Sequence, residues 1–306
     1  MDEGMDFVKI NYSATPLQEL NYPLVKEHDL RFIVKREDLN HPFVSGNKWW
    51  KLKYNLQEAL RQGHDTLLTF GGAYSNHIFA TAAAAKELRI KSIGIIRGEE
   101  ALPLNHTLAF AESCGMKLHY ISREAYRKKA EPDFIEQLHH QFGNFYLIPE
   151  GGTNKLAIKG CSEFASQLSQ EIDFDYLCLS IGTGGTMAGM IEGLEVSKKI
   201  IGFSSLKGGE FLEREISSMT SPEKTNWSIN TKYHFGGYGK TTSALKSFIV
   251  EVKRNYQLPL DIVYTSKMFF GVLDFIKKGY FKKGSTLLVL HTGGLQGNPN
   301  EKDRGH

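Results

Sequence analysis

The hydrophobic positions of this chain fall into short runs that alternate with helical patterns. Three runs, each followed by its helix pattern, are "TLLTFGG" before "SNHIFATAAAAKEL", "KSIGIIRG" before "LNHTLAFAESCG", and "FYLIPEGG" before "LAIKGCSEFASQLSQEI". The series continues with "FDYLCLSIGTGG", "VYTSKM" and "STLLVLHTGG". Short apolar runs that are rich in β-branched residues and end in glycine are typical of buried strands. Their alternation with helices predicts an α/β protein with mainly parallel sheets and helices on both faces.

Small residues end four of these runs. They are the pairs Gly71–Gly72, Gly151–Gly152 and Gly293–Gly294, and the loop 182–185. Ligands of open α/β sheets gather at the carboxyl ends of the strands. Glycine at such an end lets the backbone approach a ligand closely, although it also serves simple tight turns. Four such ends predict one shared ligand site.

Composition and charge narrow the class of protein. The chain has 306 residues, with 41% hydrophobic and 23% charged side chains, which is typical of a globular protein of one large or two moderate domains. The 37 basic and 34 acidic residues are scattered, so no nucleic-acid surface is indicated. No apolar run approaches a membrane span, and the polar start "MDEGMDFVKINYS" is unlike a signal peptide. Three cysteines lack disulfide density and metal-ligand spacing. We therefore expect a cytoplasmic enzyme without a metal.

The segment "SIGTGGTMAG", residues 180–189, is the sharpest of the glycine motifs. It follows a strand and begins a helix, so its amides favour an anion. The phosphate loop of nucleotide hydrolases requires a lysine that is missing here, and Met187 replaces the third glycine of the dinucleotide fingerprint. A single phosphate is the better match. Its predicted donors are Thr183, Gly184, Gly185 and Thr186.

The segment "SGNKWWKL", residues 45–52, sets Lys48 directly after Gly-Asn. Taken alone, this lysine is an ordinary residue at the start of an amphipathic helix. Combined with a single-phosphate anchor in an α/β protein, it indicates pyridoxal 5'-phosphate, which forms a Schiff base with a lysine.

These motifs together resemble the family of 1-aminocyclopropane-1-carboxylate deaminases and D-cysteine desulfhydrases, which share the tryptophan synthase β-subunit fold (fold type II of pyridoxal phosphate enzymes). The resemblance implies two domains, each an open, twisted, mainly parallel sheet with helices on both faces. The likeness runs through "VKREDLNHPFVSGNKWWKLKYNL", "FGGAYSNHIFATAAAA", "GTGGTMAG", "DIVYTSKM" and "HTGGLQG" in family order. The resemblance implies a pyridoxal-phosphate-dependent enzyme acting on a small amino acid.

The resemblance also implies roles for individual residues. Lys48 is the Schiff-base lysine, and Lys51 is either a phosphate contact or a solvated helix lysine. Ser75 binds the substrate carboxylate, a position that also suits a helix N-cap. Asn76 contacts the phenolic oxygen of the cofactor beside the substrate. His77 is either a substrate contact or a structural histidine.

The choice of reaction depends on Thr265 and Thr292. The resemblance puts both beside the pyridine ring, where the deaminases typically carry glutamate and leucine. A hydroxyl cannot protonate the pyridine nitrogen as a carboxylate does, so the electron sink is shallower. We therefore expect β-elimination from D-cysteine or a related D-amino acid, giving pyruvate, ammonia and sulfide. Tyr238 and Tyr264 match tyrosines on the substrate side, although either hydroxyl could serve packing alone.

Two alternatives to D-cysteine elimination stay open. The first is deamination of 1-aminocyclopropane-1-carboxylate to 2-oxobutyrate, and the second is a non-catalytic module that binds the cofactor or an amino acid. The resemblance further implies a homodimer. Residues 1–48 and 160–306 are expected to form a larger cofactor-binding domain, and residues 49–159 a smaller mobile one.

Overall fold

A computed structural model describes residue 10 and residues 12–298. Most of the polar start and the two ends of the predicted larger domain lie outside the described residues. In the described part, the ten strands are β1 Leu17–Glu19, β2 Arg31–Lys35, β3 Thr66–Gly72, β4 Lys91–Arg97, β5 Met116–Ile121, β6 Tyr146–Ile148, β7 Tyr176–Ile181, β8 Lys199–Ser204, β9 Trp227–Asn230 and β10 Thr286–Leu290. The eleven α-helices are α1 Pro23–Glu27, α2 Asn47–Arg61, α3 Asn76–Leu88, α4 His106–Ser113, α5 Arg123–Arg127, α6 Pro132–Phe142, α7 Lys155–Glu171, α8 Gly185–Gly193, α9 Phe211–Ser217, α10 Ser243–Tyr256 and α11 Thr265–Lys277.

The strands form two sheets. One has six strands in the order β1-β2-β10-β7-β8-β9, and the other has four in the order β5-β4-β3-β6. Only the pairing of β1 with β2 is antiparallel among the described strands. All four strands of the smaller sheet lie within residues 66–148, so the smaller sheet is one continuous stretch of chain inserted between β2 and β7. The predicted fold class, two mainly parallel sheets in an α/β protein, is confirmed.

Helices cover both faces of the larger sheet because its central strands are apolar on both sides. In β10, Leu288 and Leu290 pack into the core shared with α2 and α7, whereas Leu287 and Val289 pack into a second core with α11. Successive side chains of a strand point to opposite faces, so a strand buried twice has to be apolar throughout. The run "TLLVL" is such a sequence.

The interpretation of "VYTSKM" as a strand is wrong. Residues 263 and 264 form a turn, and α11 begins at Thr265. The side chain of Asp261 accepts hydrogen bonds from the backbone N–H groups of Val263, Tyr264 and Thr265 at 2.6–2.9 Å. These N–H groups have no partner within a helix, so an upstream carboxylate that satisfies them starts the helix early.

Neither a membrane-crossing helix nor a metal cluster occurs in the described residues. No helix there combines the length and the apolar character that crossing a bilayer requires. The same residues contain no group of three or more His, Cys, Asp or Glu side chains arranged to hold a metal ion.

Candidate active site

The first turn of α2 lies against the end of β10. Gly46, which precedes α2, has a φ of 66°, and a Cβ added there would lie 2.0 Å from the carbonyl oxygen of Thr292. The N–H of Asn47 donates to that same oxygen at 3.3 Å. Only glycine combines this left-handed backbone with so close an approach. The motif Gly-Asn-Lys therefore brings Lys48 to the carboxyl end of the larger sheet.

A buried network fixes the backbone around Gly46. The side chain of Asn40 accepts from the Gly46 N–H at 2.8 Å and donates to the Gly46 carbonyl at 3.0 Å. The buried Glu37 carboxylate accepts from Asn40 at 2.9 Å and from the Trp50 indole at 2.7 Å. Trp50 also stacks on Phe164 with ring centroids 4.6 Å apart. Trp50 thus anchors α2 in the core, and it does so by both hydrogen bonding and stacking.

The amine of Lys48 is set up to lose its charge near neutral pH. Its Nζ donates to the Asn47 side chain at 3.1 Å. Burial lowers the pKa of Lys48 to about 8, while the Cys161 thiol and the Asp261 carboxylate oppose that shift. A lysine with such a pKa supplies a neutral amine readily, which a Schiff base and a proton transfer both require.

Lys51 and three threonine hydroxyls gather at the N-terminus of α8. The Nζ of Lys51 donates to Thr153 Oγ1 at 2.8 Å and to Thr183 Oγ1 at 3.2 Å. Thr186, in the first turn of α8, accepts from the side chain of Asn47 at 2.8 Å. Burial, and then the positive charge of Lys48, lower the pKa of Lys51 to about 7. A buried ammonium, hydroxyls and helix amides are the donors that a phosphate requires, so this group fits a phosphate.

The glycine turns form the walls of one site. A Cβ on Gly151 would lie 2.7 Å from the Thr183 side chain, and one on Gly185 would lie 2.8 Å from Thr153 Oγ1. Similarly, a Cβ on Gly294 would lie 2.8 Å from the side-chain nitrogen of Asn76. The turns that follow β6, β7 and β10 are therefore in contact with their neighbours from the other sheet.

The smaller sheet contributes Ser75, Asn76 and His77. Ser75 is the N-cap of α3, and its Oγ accepts from the Ile78 N–H at 3.3 Å. Asn76 lies against Gly294, as described above, so the start of α3 meets the end of β10. Because the first amides of a helix favour an anion, a carboxylate at Ser75 would be well placed.

His77 lies behind the Gly151–Gly152 turn. Its Nε2 is 2.8 Å from Thr69 Oγ1, which in turn donates to the Ile148 carbonyl, so His77 donates to Thr69. A Cβ on Gly152 would lie 3.0 Å from the imidazole. Burial and the positive charges of Lys48 and Lys51 hold the pKa of His77 well below its usual range, so the ring is neutral. The contacts described for His77 are with Thr69 and with the Gly152 turn, at the boundary of the site.

Tyr264 and Tyr238 lie on the other side of the glycine loop. A Cβ on Gly182 would lie 3.4 Å from the Tyr264 hydroxyl, and the two tyrosine rings meet edge to face with centroids 5.9 Å apart. Burial raises the pKa of Tyr264 well above its usual range, with Tyr238 adding to the shift, and burial also raises the pKa of Tyr238. Both hydroxyls are therefore protonated at neutral pH and able to donate.

The two threonines that the sequence pairs have different surroundings. Thr265 is fully buried, and its hydroxyl donates to Asp261 at 2.6 Å and accepts from the Asp261 N–H at 2.9 Å. Thr292 Oγ1 instead lies 3.1 Å from the Ser180 hydroxyl at the end of β7. The Thr265 hydroxyl is therefore engaged by Asp261 at the start of α11. The Thr292 hydroxyl is instead hydrogen-bonded to Ser180, within the candidate site.

Sequence reasoning missed four residues that shape this site: Asn47, Thr153, Ser180 and Asp261. Thr153 and Asn47 adjoin motifs that the sequence singles out, so their neighbourhood was a usable signal. Ser180, the penultimate residue of β7, begins the segment "SIGTGGTMAG", and Asp261 begins the segment "DIVYTSKM", so both also lie in motifs that the sequence singles out. The sequence does not show their partners, which are Thr292 for Ser180 and the first amides of α11 for Asp261.

The family model for pyridoxal-phosphate-dependent enzymes matches residues 8–293. A Pyrococcus abyssi protein provisionally named 1-aminocyclopropane-1-carboxylate deaminase is 32% identical, over 92% of this chain and 90% of its own length. The bifunctional D-cysteine desulfhydrase/1-aminocyclopropane-1-carboxylate deaminase of Arabidopsis thaliana mitochondria is 29% identical, over 95% of this chain and 78% of its own.

The solved structure of a homologue of 1-aminocyclopropane-1-carboxylate deaminase superposes with a TM-score of 0.81. It is 30% identical and covers 95% of this chain and 92% of its own. The lysine and the phosphate cradle described above suit the cofactor of these relatives. The chain therefore belongs to the pyridoxal-phosphate-dependent enzymes of fold type II, in the family of 1-aminocyclopropane-1-carboxylate deaminases and D-cysteine desulfhydrases.

Proposed function

We propose that this enzyme eliminates sulfide from D-cysteine, or from a related D-amino acid with a leaving group on Cβ, and yields pyruvate and ammonia. The observation that supports this choice is the hydroxyl pair of Thr292 and Ser180, 3.1 Å apart at the ends of β10 and β7. Both oxygens of Asp261, the buried carboxylate nearby, already accept hydrogen bonds from the N–H groups of residues 263–265 and from the Thr265 hydroxyl.

The chain offers a complete set of groups for holding the cofactor. Lys48 would hold it covalently, and Lys51, Thr153, Thr183 and Thr186 would hold its phosphate. When bound, pyridoxal phosphate withdraws electrons from the substrate Cα, and it does so more strongly when its pyridine nitrogen is protonated. The Thr292 hydroxyl shares a hydrogen bond but supplies no negative charge, so it does not favour that protonation. The surroundings of Thr292 therefore suit a reaction in which the leaving group on Cβ departs with the electron pair of the bond that breaks.

The elimination follows from what the side chains do. Ser75 and the first amides of α3 bind the substrate carboxylate. The substrate amine takes the place of Lys48, and the neutral amine of Lys48 that this exchange releases removes the proton from Cα. The Cα–H electron pair forms the new Cα–Cβ double bond while the Cβ–S bond breaks, and sulfur leaves with its pair as HS⁻. The Tyr238 and Tyr264 hydroxyls, both protonated at neutral pH, orient this thiol or donate to it. Water then hydrolyses the remaining enamine to pyruvate and ammonia.

The stereochemical consequence is a preference for the D-enantiomer. Once the carboxylate is held at Ser75, the Cα–H bond of L-cysteine faces away from Lys48. L-cysteine should therefore react poorly.

The alternative activity is the opening of 1-aminocyclopropane-1-carboxylate to 2-oxobutyrate and ammonia. The name of the Pyrococcus abyssi relative favours it. The surroundings of Thr292 argue against it, because no leaving group carries charge away when the cyclopropane opens.

Purified enzyme loaded with cofactor distinguishes the two activities. We expect sulfide and pyruvate from D-cysteine, and little 2-oxobutyrate from the cyclopropane acid. A Lys48→Ala variant should lose both the visible absorption band of the bound cofactor and the sulfide release. Rapid ring opening by the unmodified enzyme would refute the argument from Thr292.

We also propose that the four-stranded sheet and its helices, within the predicted smaller domain of residues 49–159, move against the rest and close over the substrate. In this proposal α2 stays with the larger sheet through the stacking of Trp50 on Phe164. The contact between Asn76 and the Gly293–Gly294 turn would form part of the closed state. Small-angle scattering with and without a bound D-amino acid would test the closure. Sedimentation of the purified protein would test the expected homodimer.

A further inference from the structure

The segment that carries Tyr238 is built for conformational freedom. It links β9 to α10 and contains Gly236, Gly237 and Gly239, whose φ angles are 96°, 119° and 67°. Phe235 just before them also has a positive φ, of 50°. Glycines lose more backbone entropy on ordering than any other residue, so such a segment needs an external tether to keep a single conformation.

Two consecutive turns, residues 234–237 and residues 237–240, fix the backbone at Tyr238. The Gly237 N–H donates to the His234 carbonyl at 3.0 Å, and the Lys240 N–H donates to the Gly237 carbonyl at 3.0 Å. Tyr238 is the first central residue of the second turn. The direction of its ring therefore depends on whether both turns stay closed.

Lys267 reaches the same two carbonyls from α11. Its Nζ donates to the His234 carbonyl at 2.9 Å and to the Gly237 carbonyl at 2.8 Å. Its side chain is 1% exposed, and no carboxylate lies within ion-pair distance of it among the residues that the structure describes. Burial lowers its pKa to about 8, while the charge of Asp261 opposes the shift. Burying an ammonium costs free energy unless hydrogen bonds replace its hydration. The two carbonyls that accept from Lys267 provide such hydrogen bonds.

The position of Lys267 in α11 couples the segment to the site. Tyr264 precedes the first turn of the same helix, three residues before Lys267. The helix therefore carries Tyr264 at its start, and its first turn carries Lys267, which binds the segment of Tyr238. The edge-to-face contact between the two rings, with centroids 5.9 Å apart, is the result.

We propose that Lys267 is a positioning residue that closes the two turns around Tyr238 and so sets the Tyr238 hydroxyl beside Tyr264 on the substrate side. The part of this inference that concerns catalysis rests on the proposed function. The part that concerns the two turns does not.

Hydrogen exchange in the cofactor-free protein tests the turns directly. In Lys267→Met, the amides of Gly237 and Lys240 should exchange at least about tenfold faster, because each turn loses a charge-assisted hydrogen bond at its carbonyl. Lys277→Met, which changes an exposed lysine of the same helix, should leave both rates unchanged. Lys267→Gln keeps a polar group, so its exchange rates should lie between those of Lys267→Met and the unmodified protein. If Lys267→Met does not fold, the comparison is made with Lys267→Gln. Unchanged exchange at both amides in a folded variant would overturn the proposal.

A double-mutant cycle tests the link to catalysis in the loaded enzyme. Lys267→Met should reduce kcat/KM for D-cysteine by about tenfold, with the same division between kcat and KM as Tyr238→Ala. In the Tyr238→Ala background the same change should have less than about a twofold effect. Additive losses would overturn the coupling to Tyr238. Absence of sulfide release in the unmodified enzyme would refute the proposed substrate, and the exchange rates would still decide the role of Lys267.

Discussion

Lys51 offers the sharpest test of the phosphate cradle. Replacing it with methionine keeps the length and apolar stem but removes an ammonium that lies 2.8 Å from Thr153 Oγ1 and 3.2 Å from Thr183 Oγ1. A hydrogen bond to a charged group contributes about 1.5–3 kcal/mol. We therefore expect the affinity for a phosphate ligand to fall between about tenfold and a hundredfold, since about 1.4 kcal/mol corresponds to a factor of ten.

The pH dependence of this binding has a definite sign. Because burial sets the pKa of the free Lys51 at about 7, the lysine must take up a proton to meet the phosphate at higher pH. The charged form is the one that binds, so affinity is lost as pH rises above that value, by up to about tenfold per pH unit. The phosphate itself stays doubly charged over this range, because its second pKa lies near 6. In Lys51→Met this contribution should vanish, which leaves the weaker dependence due to Lys48.

The assay uses cofactor-free protein and pyridoxine 5'-phosphate, whose alcohol cannot form a Schiff base with Lys48. Calorimetric titration between pH 7 and 9 gives the affinity at each pH. Lys53→Met is the matched control, since Lys53 belongs to the same helix but pairs with Glu163 at 2.7 Å. Equal affinities and equal pH slopes for Lys51→Met and the unmodified protein would refute the assignment of Lys51 to the phosphate.

Three further substitutions and one control substitution test the surroundings of the site. Gly46→Ala should lower the free energy of unfolding by roughly 2–4 kcal/mol, because its Cβ would lie 2.0 Å from the Thr292 carbonyl; Gly63→Ala, at a φ of 75° but in open space, should cost only about 1 kcal/mol. Similar denaturation midpoints for the two would contradict this reasoning. Thr265→Val should destabilise the protein by about 1–3 kcal/mol, since Asp261 loses a donor and its N–H loses an acceptor. Thr292→Val removes a single hydrogen bond, to Ser180, so it should destabilise the protein less than Thr265→Val does and should slow sulfide release by about tenfold; a reversal of these two patterns would show that Thr265 is the residue on the cofactor side.

Local sequence determined most of the elements and the motifs that make up the candidate site. The run "TLLTFGG" coincides with β3 at Thr66–Gly72, and "TLLVL" is β10. Such runs are readable because a strand that is buried on both faces has to be apolar at every position, and because glycine is required where the chain turns tightly at its end. The same local motifs carry the resemblance that led to the family, which the comparisons confirm.

The interpretation of the sequence missed the start of α11. The run "VYTSKM" has the β-branched and aromatic residues of a strand, and its helical state depends on the carboxylate of Asp261 four residues before Thr265. One side chain that satisfies three backbone amides outweighs the propensities of the residues that follow it.

Only the tertiary structure decided which residues of the candidate site contact one another. Thr292 meets Ser180 across 112 positions of sequence, Lys51 meets Thr183 across 132, and Thr265 is turned away toward Asp261. The role of Lys267 likewise exists only because α11 packs beneath a segment some thirty residues upstream. Hydrogen bonds between distant residues leave no periodic trace in a sequence, because each depends on where two separately formed elements come to rest. The sequence therefore determined which chemical groups this enzyme has, and the packing of its two sheets decided which of them are free to act.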